Sequence, residues 1–229
     1  FSSQKVMKAE ALLRWQHPTK GRITPDEFIP LAEESGLIID ISNWVFNEVC
    51  ANIKQWKAQN RQELQVSINT SPSHYFNLES NITQWLNLLL DQKISARSIL
   101  LEVTENLLME ANEMVSKKLF QFRQAGVDIA LDDFGTGYSS ISYLKRFPTD
   151  FIKIDRSFVK SMTDVSNDKV LCEAIIVMAN KLGIKVVAEG VETQEQYDIL
   201  KSMGCDYAQG YFIAKPLSKS DFESFWERH

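Results

Sequence analysis

Cysteine is scarce in this sequence, with three in 229 residues, and Cys50, Cys172 and Cys205 are scattered without a C-x-x-C pair. That excludes a disulfide framework and a cysteine-ligated zinc site, and it points to a reducing compartment. Histidine is equally rare. His17, His74 and His229 stand far apart with no metal-like spacing, so each reads as a structural or surface residue. No block of lysine and arginine is present either. With 25 basic and 30 acidic side chains the formal charge is −5, which leaves no basic stripe to displace counterions from a phosphate backbone and excludes a general nucleic-acid binder. A single nucleotide remains accessible through local groups or metals. The longest clear apolar run, "AIIVMA", falls well short of the roughly 18 residues a membrane span needs. The chain lacks an initiating methionine and a signal-peptide pattern, so a piece of a longer protein is expected, with any membrane attachment lying elsewhere in the parent.

What is present describes a soluble globular domain. At 44% hydrophobic and 24% charged residues the chain can bury a core without cross-links. No Pro/Gly/Ser linker or low-complexity tract divides it, so residues 1–229 are expected to form one domain. Strand-like runs, "KAEALLRW", "LQVSIN", "ILLEV", "VDIAL", "FIKI", "IKVVAEG" and "YAQGYFI", alternate with helical segments. Thr24 to Glu27 predicts a capping box with Pro25 in the first turn, Gly36 a helix stop, and Pro30 a kink or division between them. Apolar stripes are expected at Ile41, Val45, Val49 and Ile53, and at Leu171, Ile175, Met178 and Leu182 before Gly183. Thr193 with Gln196, and Ser220 with Glu223, predict two more capping boxes. The five tryptophans read as packing residues, with a pocket role for Trp15 equally open.

Strand and helix in regular alternation imply a mainly parallel sheet covered by helices. The absence of a Gly-rich dinucleotide fingerprint favours a TIM-like (β/α)8 barrel, in which active groups come from the C-terminal ends of several strands. The polar residues fit that geometry. Asn69 ends one strand run, Glu102 lies in the next, Asp132 and Asp133 follow "VDIAL", Lys153 lies within "FIKID", Glu189 ends "KVVAE" and Gln209 follows the last; Glu10 belongs to the first. A lone acid at a strand end is usually a solvated loop residue or a helix cap. Barrel closure makes the series converge.

The paired aspartates sharpen this expectation. Neighbours in a strand point to opposite faces, so Asp132 and Asp133 share a site only where the strand ends and turns, which Gly135 and Gly137 permit. Lys153 alone does not offset so many carboxylates, whereas divalent cations do. A donor set of carboxylates with one amide favours Mg²⁺ or Mn²⁺ over zinc, and the number of acids suggests two ions. Such equipment suits phosphodiester hydrolysis, with Lys153 beside the attacking water.

"EALLRW" (10–15), "LEVTEN" (101–106), "DDFGTGYSS", "FIKID", "AEGVET" (188–193) and "QGYFIAKP" (209–216), in this order over nearly the whole chain, resemble the motifs of the EAL-domain family of cyclic di-GMP phosphodiesterases. A kinase DFG is the competing reading of "DDFG", but no kinase glycine loop or H-R-D segment accompanies it. The resemblance implies a modified barrel that linearises cyclic di-GMP to pGpG with two Mg²⁺ or Mn²⁺ ions. It implies Glu10, Asn69, Glu102 and Asp132 as ligands of one metal, and Asp132, Asp133 and Glu189 as ligands of the other. Lys153 would sit by the catalytic water, Gln209 would support metal-bound solvent, Arg14 would reach a substrate phosphate and Glu192 a guanine edge. Glu105 corresponds to the family's loop-holding glutamate, its ordinary reading being a helix N-terminal acid. The resemblance further implies a homodimer, and a cytoplasmic domain whose parent carries sensory or GGDEF-type domains.

The sequence departs from the pattern in places. Only nine residues precede Glu10, where the family has a helix, a strand and a Gln-Pro pair; His74 replaces a common glutamine and Asn106 a common serine. None is a metal position. Every proposed ligand is retained, which favours an enzyme over a domain that binds cyclic di-GMP without cutting it, and over an interaction module that binds no nucleotide.

Overall fold

The computed structural model describes residues 5–59, 61, 64–76, 82–136, 144, 146–162 and 166–228. They fall into two compact units. The first comprises Met7–Val103 and Glu110–Asp128; the second comprises Phe1–Val6, Thr104–Met109 and Ile129–His229.

In the first unit the strands β1 (Lys8–Ala11), β4 (Gln65–Asn69) and β5 (Ile99–Thr104) pair in parallel, in that order. A short antiparallel hairpin, β2 (Trp15–His17) and β3 (Gly21–Ile23), follows β1, so the run "KAEALLRW" holds a short strand and the start of a hairpin. Helices α1 (Pro25–Glu34), α2 (Ile38–Ala58), α3 (Pro72–Phe76), α4 (Ile82–Asp91) and α6 (Glu113–Gln124) belong here. The second unit holds β6 (Asp128–Phe134), β7 (Phe151–Ile154), β8 (Lys185–Ala188) and β9 (Tyr207–Ala208), again parallel and in chain order. With them are α5 (Glu105–Glu110), α7 (Arg156–Lys160), α8 (Asn167–Leu182), α9 (Gln194–Ser202) and α10 (Lys219–Arg228). Among the described residues, seven parallel strands alternate with helices, the α/β class expected from the sequence. The last strand, too, is much shorter than the run "YAQGYFI".

Parallel strands covered on both faces read as continuous apolar runs rather than alternating ones. β5 and β7 show why the runs were so clear: Ile99 to Val103 and all of β7 are buried, Lys153 included. At the strand starts two carboxylates replace ladder partners. Asp150 Oδ2 accepts from Ile129 N at 3.1 Å, and Asp206 Oδ2 accepts from Val186 N at 2.9 Å. In the first unit Trp85 anchors the core, stacked on Phe46 and on His74 with centroids 4.3 and 4.4 Å away, while its indole N–H donates to Asn43 Oδ1 at 2.8 Å. Truncating a buried tryptophan of this kind costs about 3–5 kcal/mol.

The helix ends match in part. Thr24 does precede α1 with Pro25 in its first turn, but its side chain makes no capping bond, and α1 runs through Pro30 undivided. Gly36 lies just past α1 with a left-handed φ of +77°. The box at Thr193 and Gln196 closes in both directions. At α10 the capping oxygen is Ser218 Oγ, accepting from Asp221 N at 3.3 Å, two residues before the expected Ser220. On α8 the buried face is Cys172, Ile176 and Ala179, one residue along from the predicted stripe, and Leu171 and Leu182 are exposed. On α2, Val49 and Ile53 are buried as expected, alongside Phe46 and Cys50. Among the described residues no helix is long and apolar enough to cross a membrane.

Candidate active site

In the first unit, parallel register sets three predicted ligands on neighbouring strands. Asn69, the last residue of β4, is the register partner of Glu102, and Glu10 of β1 lies opposite Ser67. The Asn69 amide donates to Glu10 Oε1 at 2.7 Å, so the amide oxygen and that carboxylate belong to one local group. Glu102 is buried, and its backbone carbonyl accepts from Thr70 N and Thr70 Oγ1 at 3.1 and 2.7 Å, which fixes the strand end. Arg14 is exposed, with its guanidinium donating to Leu13 O at 2.8 Å. It lines an open apolar groove of about 580 Å³ together with Trp15, Phe28, Leu31, Leu37 and Trp44. Trp15 therefore takes both readings, meeting Phe28 edge-on at 5.6 Å while facing the groove, and Trp44 is 56% exposed rather than a packing residue.

The second unit answers the question of the paired aspartates. Between Leu131, opposite Ile152, and Phe134, opposite Ile154, β6 carries one residue more than β7. Asp132 and Asp133 thus share the single position facing Lys153, a β-bulge. The backbone turns at Asp133 itself, whose φ is +53°, and not at the glycines alone; Gly135 follows at +100°, and Gly137 lies outside the described residues. β6 continues through both aspartates to Phe134, whereas the sequence reading ends the strand at Leu131. Asp133 N–H donates to Asp132 Oδ1 at 3.0 Å, and Thr136 Oγ1 donates to Asp133 O at 2.9 Å, which holds the turn. Partial burial raises the Asp133 carboxyl above its ordinary range, and the charges of Asp132 and Asp155 add to this, while Lys153 and Arg156 oppose it.

Lys153 is 2% exposed, and its ammonium lies 3.3 Å from Asp132 Oδ1 and 2.6 Å from Glu189 Oε1. A buried cation survives when it is paired in this way. Glu189 stands one residue past β8, with its N–H donating to Ile154 O at 3.1 Å. Gln209 stands one residue past β9, with its N–H donating to Ala188 O at 2.8 Å. Glu192 is exposed, and its N–H is held by Gln196 Oε1 at 2.8 Å. Glu105 is 5% exposed and opens α5, while the loop expected to rest on it continues into residues outside those described. His229 also lies outside them. Sequence reading missed the role of Asp155, which caps α7 by accepting from Ser157 N at 3.0 Å and which the Asp-x-Ser spacing signals.

These donors fit a hard divalent cation. The side chains offered are carboxylates and an amide, and Asp132 and Glu189 already converge on one positive centre. Among the described residues, no three His, Cys, Asp or Glu side chains close into a preformed metal cage. The family model of the EAL domain matches residues 1–216. The chain belongs to the EAL domain family.

Relatives agree along nearly all of this EAL domain. It is 39% identical over 221 residues to the cyclic di-GMP phosphodiesterase NbdA of Pseudomonas aeruginosa, covering 96% of this chain and 28% of that protein. The chain thus spans less than a third of the curated relative's length. Against the solved PaMucR phosphodiesterase in complex with c-di-GMP, the TM-score is 0.87 at 38% identity, covering 93% of this chain and 86% of that one. Against the manganese/cyclic di-GMP complex of Klebsiella pneumoniae BlrP1, it is 0.73 at 31% identity, covering 90% and 51%.

Proposed function

We propose that this EAL domain, acting as one domain over residues 1–229, is a metal-dependent phosphodiesterase that opens cyclic di-GMP to linear pGpG. The observation that carries the reading is the buried Lys153 ammonium, paired with Asp132 and Glu189 and set opposite a bulge that presents two aspartates. NbdA is named a cyclic di-GMP phosphodiesterase, PaMucR is a phosphodiesterase solved with c-di-GMP, and BlrP1 is solved with cyclic di-GMP and manganese, which supports the same substrate and cation class.

Glu10, Asn69 and Glu102, and Asp132, Asp133 and Glu189, are the proposed ligands of two Mg²⁺ or Mn²⁺ ions. When bound, the ions supply positive charge that polarises the phosphodiester and readies a water for attack. The protein residues orient the rest. Lys153 keeps a donor N–H fixed by two carboxylates, suited to holding the attacking water or the charge gathering on phosphorus. Arg14 offers a planar guanidinium to a phosphate oxygen, Gln209 an amide to solvent and Glu192 a carboxylate to guanine N–H groups, while Glu105 holds the loop after Asp133. In the net reaction, water oxygen bonds to phosphorus and one P–O3′ bond breaks. The departing 3′ oxygen takes a proton, leaving a 5′-phosphate on a linear dinucleotide. A homodimer, a cytoplasmic location and a parent with sensory or GGDEF-type domains belong to the same proposal.

The test is incubation with cyclic di-GMP in Mg²⁺ or Mn²⁺, following pGpG by chromatography, with Asp132→Asn in parallel. Product should require the metal. Because losing even an outer partner of a metal ligand typically costs 10- to 100-fold, Asp132→Asn should lower the rate by at least about 100-fold. Tight nucleotide binding without product in the wild-type domain would identify a receptor and overturn the enzyme reading.

A further inference from the structure

Glu189 must stay at the Lys153 ammonium, yet it lies beyond the end of β8, where the ladder no longer holds the chain that follows. The constraint comes from two residues that have no side chain. Gly190 adopts a left-handed φ of +67°, and a Cβ placed on it would lie 2.5 Å from Arg156 Cβ and 3.2 Å from Arg156 Cα. Arg156 is the first residue of α7, just past β7 and the Asp155 cap, so α7 presses its first turn directly on the backbone after Glu189. On the other side stands Gly210, where an added Cβ would lie 2.2 Å from Val191 O and 2.3 Å from Val191 N. Val191 N–H donates to Gln209 O at 3.0 Å and Phe212 N–H donates to Val191 O at 2.9 Å, closing the second contact with hydrogen bonds. No methyl group fits on either side.

We infer that Gly190 and Gly210 are positioning residues of the reaction: their close contacts with Arg156 and Val191 seat Glu189 at Lys153 and Gln209 beside the end of β8. The inference rests on the proposed two-metal reading and explains how its ligands are held. Interiors are packed too tightly to absorb a contact below 3.0 Å without a backbone shift. A shift of about 1 Å in a catalytic group costs on the order of 100-fold in rate.

Gly190→Ala tests this, alone and combined with Arg156→Gly or Arg156→Ala. The readouts are the Mn²⁺ dissociation constant, kcat and KM for cyclic di-GMP, and the melting temperature in EDTA. Gly190→Ala is expected to weaken Mn²⁺ binding at least about tenfold and lower kcat about 100-fold, with KM changing by less than about threefold. Arg156→Gly removes the carbon that the new methyl meets, so it should restore Mn²⁺ affinity to within about threefold of Arg156→Gly alone. Arg156→Ala loses the same charge but keeps that carbon, and should restore nothing. Wild-type Mn²⁺ affinity and kcat in Gly190→Ala, or equal rescue by both partners, would overturn the inference. If Gly190→Ala does not fold, the single variants decide: Arg156→Gly must bind Mn²⁺ more weakly than Arg156→Ala, and equal affinities overturn the inference. Wild-type protein that binds Mn²⁺ but makes no pGpG sinks the proposed activity while leaving the Mn²⁺ comparison to judge the contact. Absence of Mn²⁺ binding sinks both.

Discussion

Asp133 holds a backbone conformation that aspartate and asparagine tolerate and β-branched residues do not. Asp133→Asn should therefore fold with stability within about 1 kcal/mol of wild type, while Asp133→Val should lose about 1–3 kcal/mol, both read from urea denaturation. His74 makes a second prediction at this scale. Its ring is buried against Trp85 and Tyr75, and Lys118 donates to its backbone carbonyl at 3.3 Å. Burial, with the Lys118 charge second, lowers its pKa from 6.5 to about 4. The unfolded chain then binds more protons than the folded one between those values. The contribution is fully present above about pH 6.5 and is lost as pH falls towards 4, a difference on the order of 3 kcal/mol. His74→Gln should flatten that slope in denaturation curves taken across the same window. An unchanged slope would place the acid sensitivity elsewhere.

At the scale of helices and strands, what the sequence made legible depended on whether local chemistry or packing decided the outcome. Thr193 with Gln196 was readable because the motif carries both donors and both acceptors within itself. Ser220 misled because Ser218, two residues earlier, competes for the same role and wins. Ser218→Ala should thus cost about 1 kcal/mol and Ser220→Ala much less, a contrast that thermal melts will show. The α8 stripe slipped by one residue because small Cys172 and Ala179 pack closest, leaving larger Leu171 and Leu182 outside. Composition does not reveal which of two adjacent apolar rows faces inward. Asn69 and Glu189 were legible because an apolar strand run gives way there to a polar residue, and Glu102 and Lys153 because each interrupts an apolar run. The bulge was not, because the extra residue shows only when β6 is paired with β7.

For the molecule as a whole, acids outnumber bases by 30 to 25, and several are drawn to strand ends where like charges repel. On the proposed two-metal reading, bound divalent cations relieve that repulsion and add to stability. Mg²⁺ or Mn²⁺ at about 100 times its dissociation constant should stabilise the folded chain by about 2.7 kcal/mol, seen as a raised melting temperature that EDTA reverses. Asp132→Asn should blunt the gain, and sodium at equal ionic strength should not reproduce it. The bulge carries a further consequence. Removing one of the two aspartates would let β6 and β7 pair residue for residue, giving a more regular sheet with one acid facing Lys153. Under the proposed function, loss of one codon is therefore a short evolutionary route from catalyst to silent scaffold that need not pass through an unfolded protein.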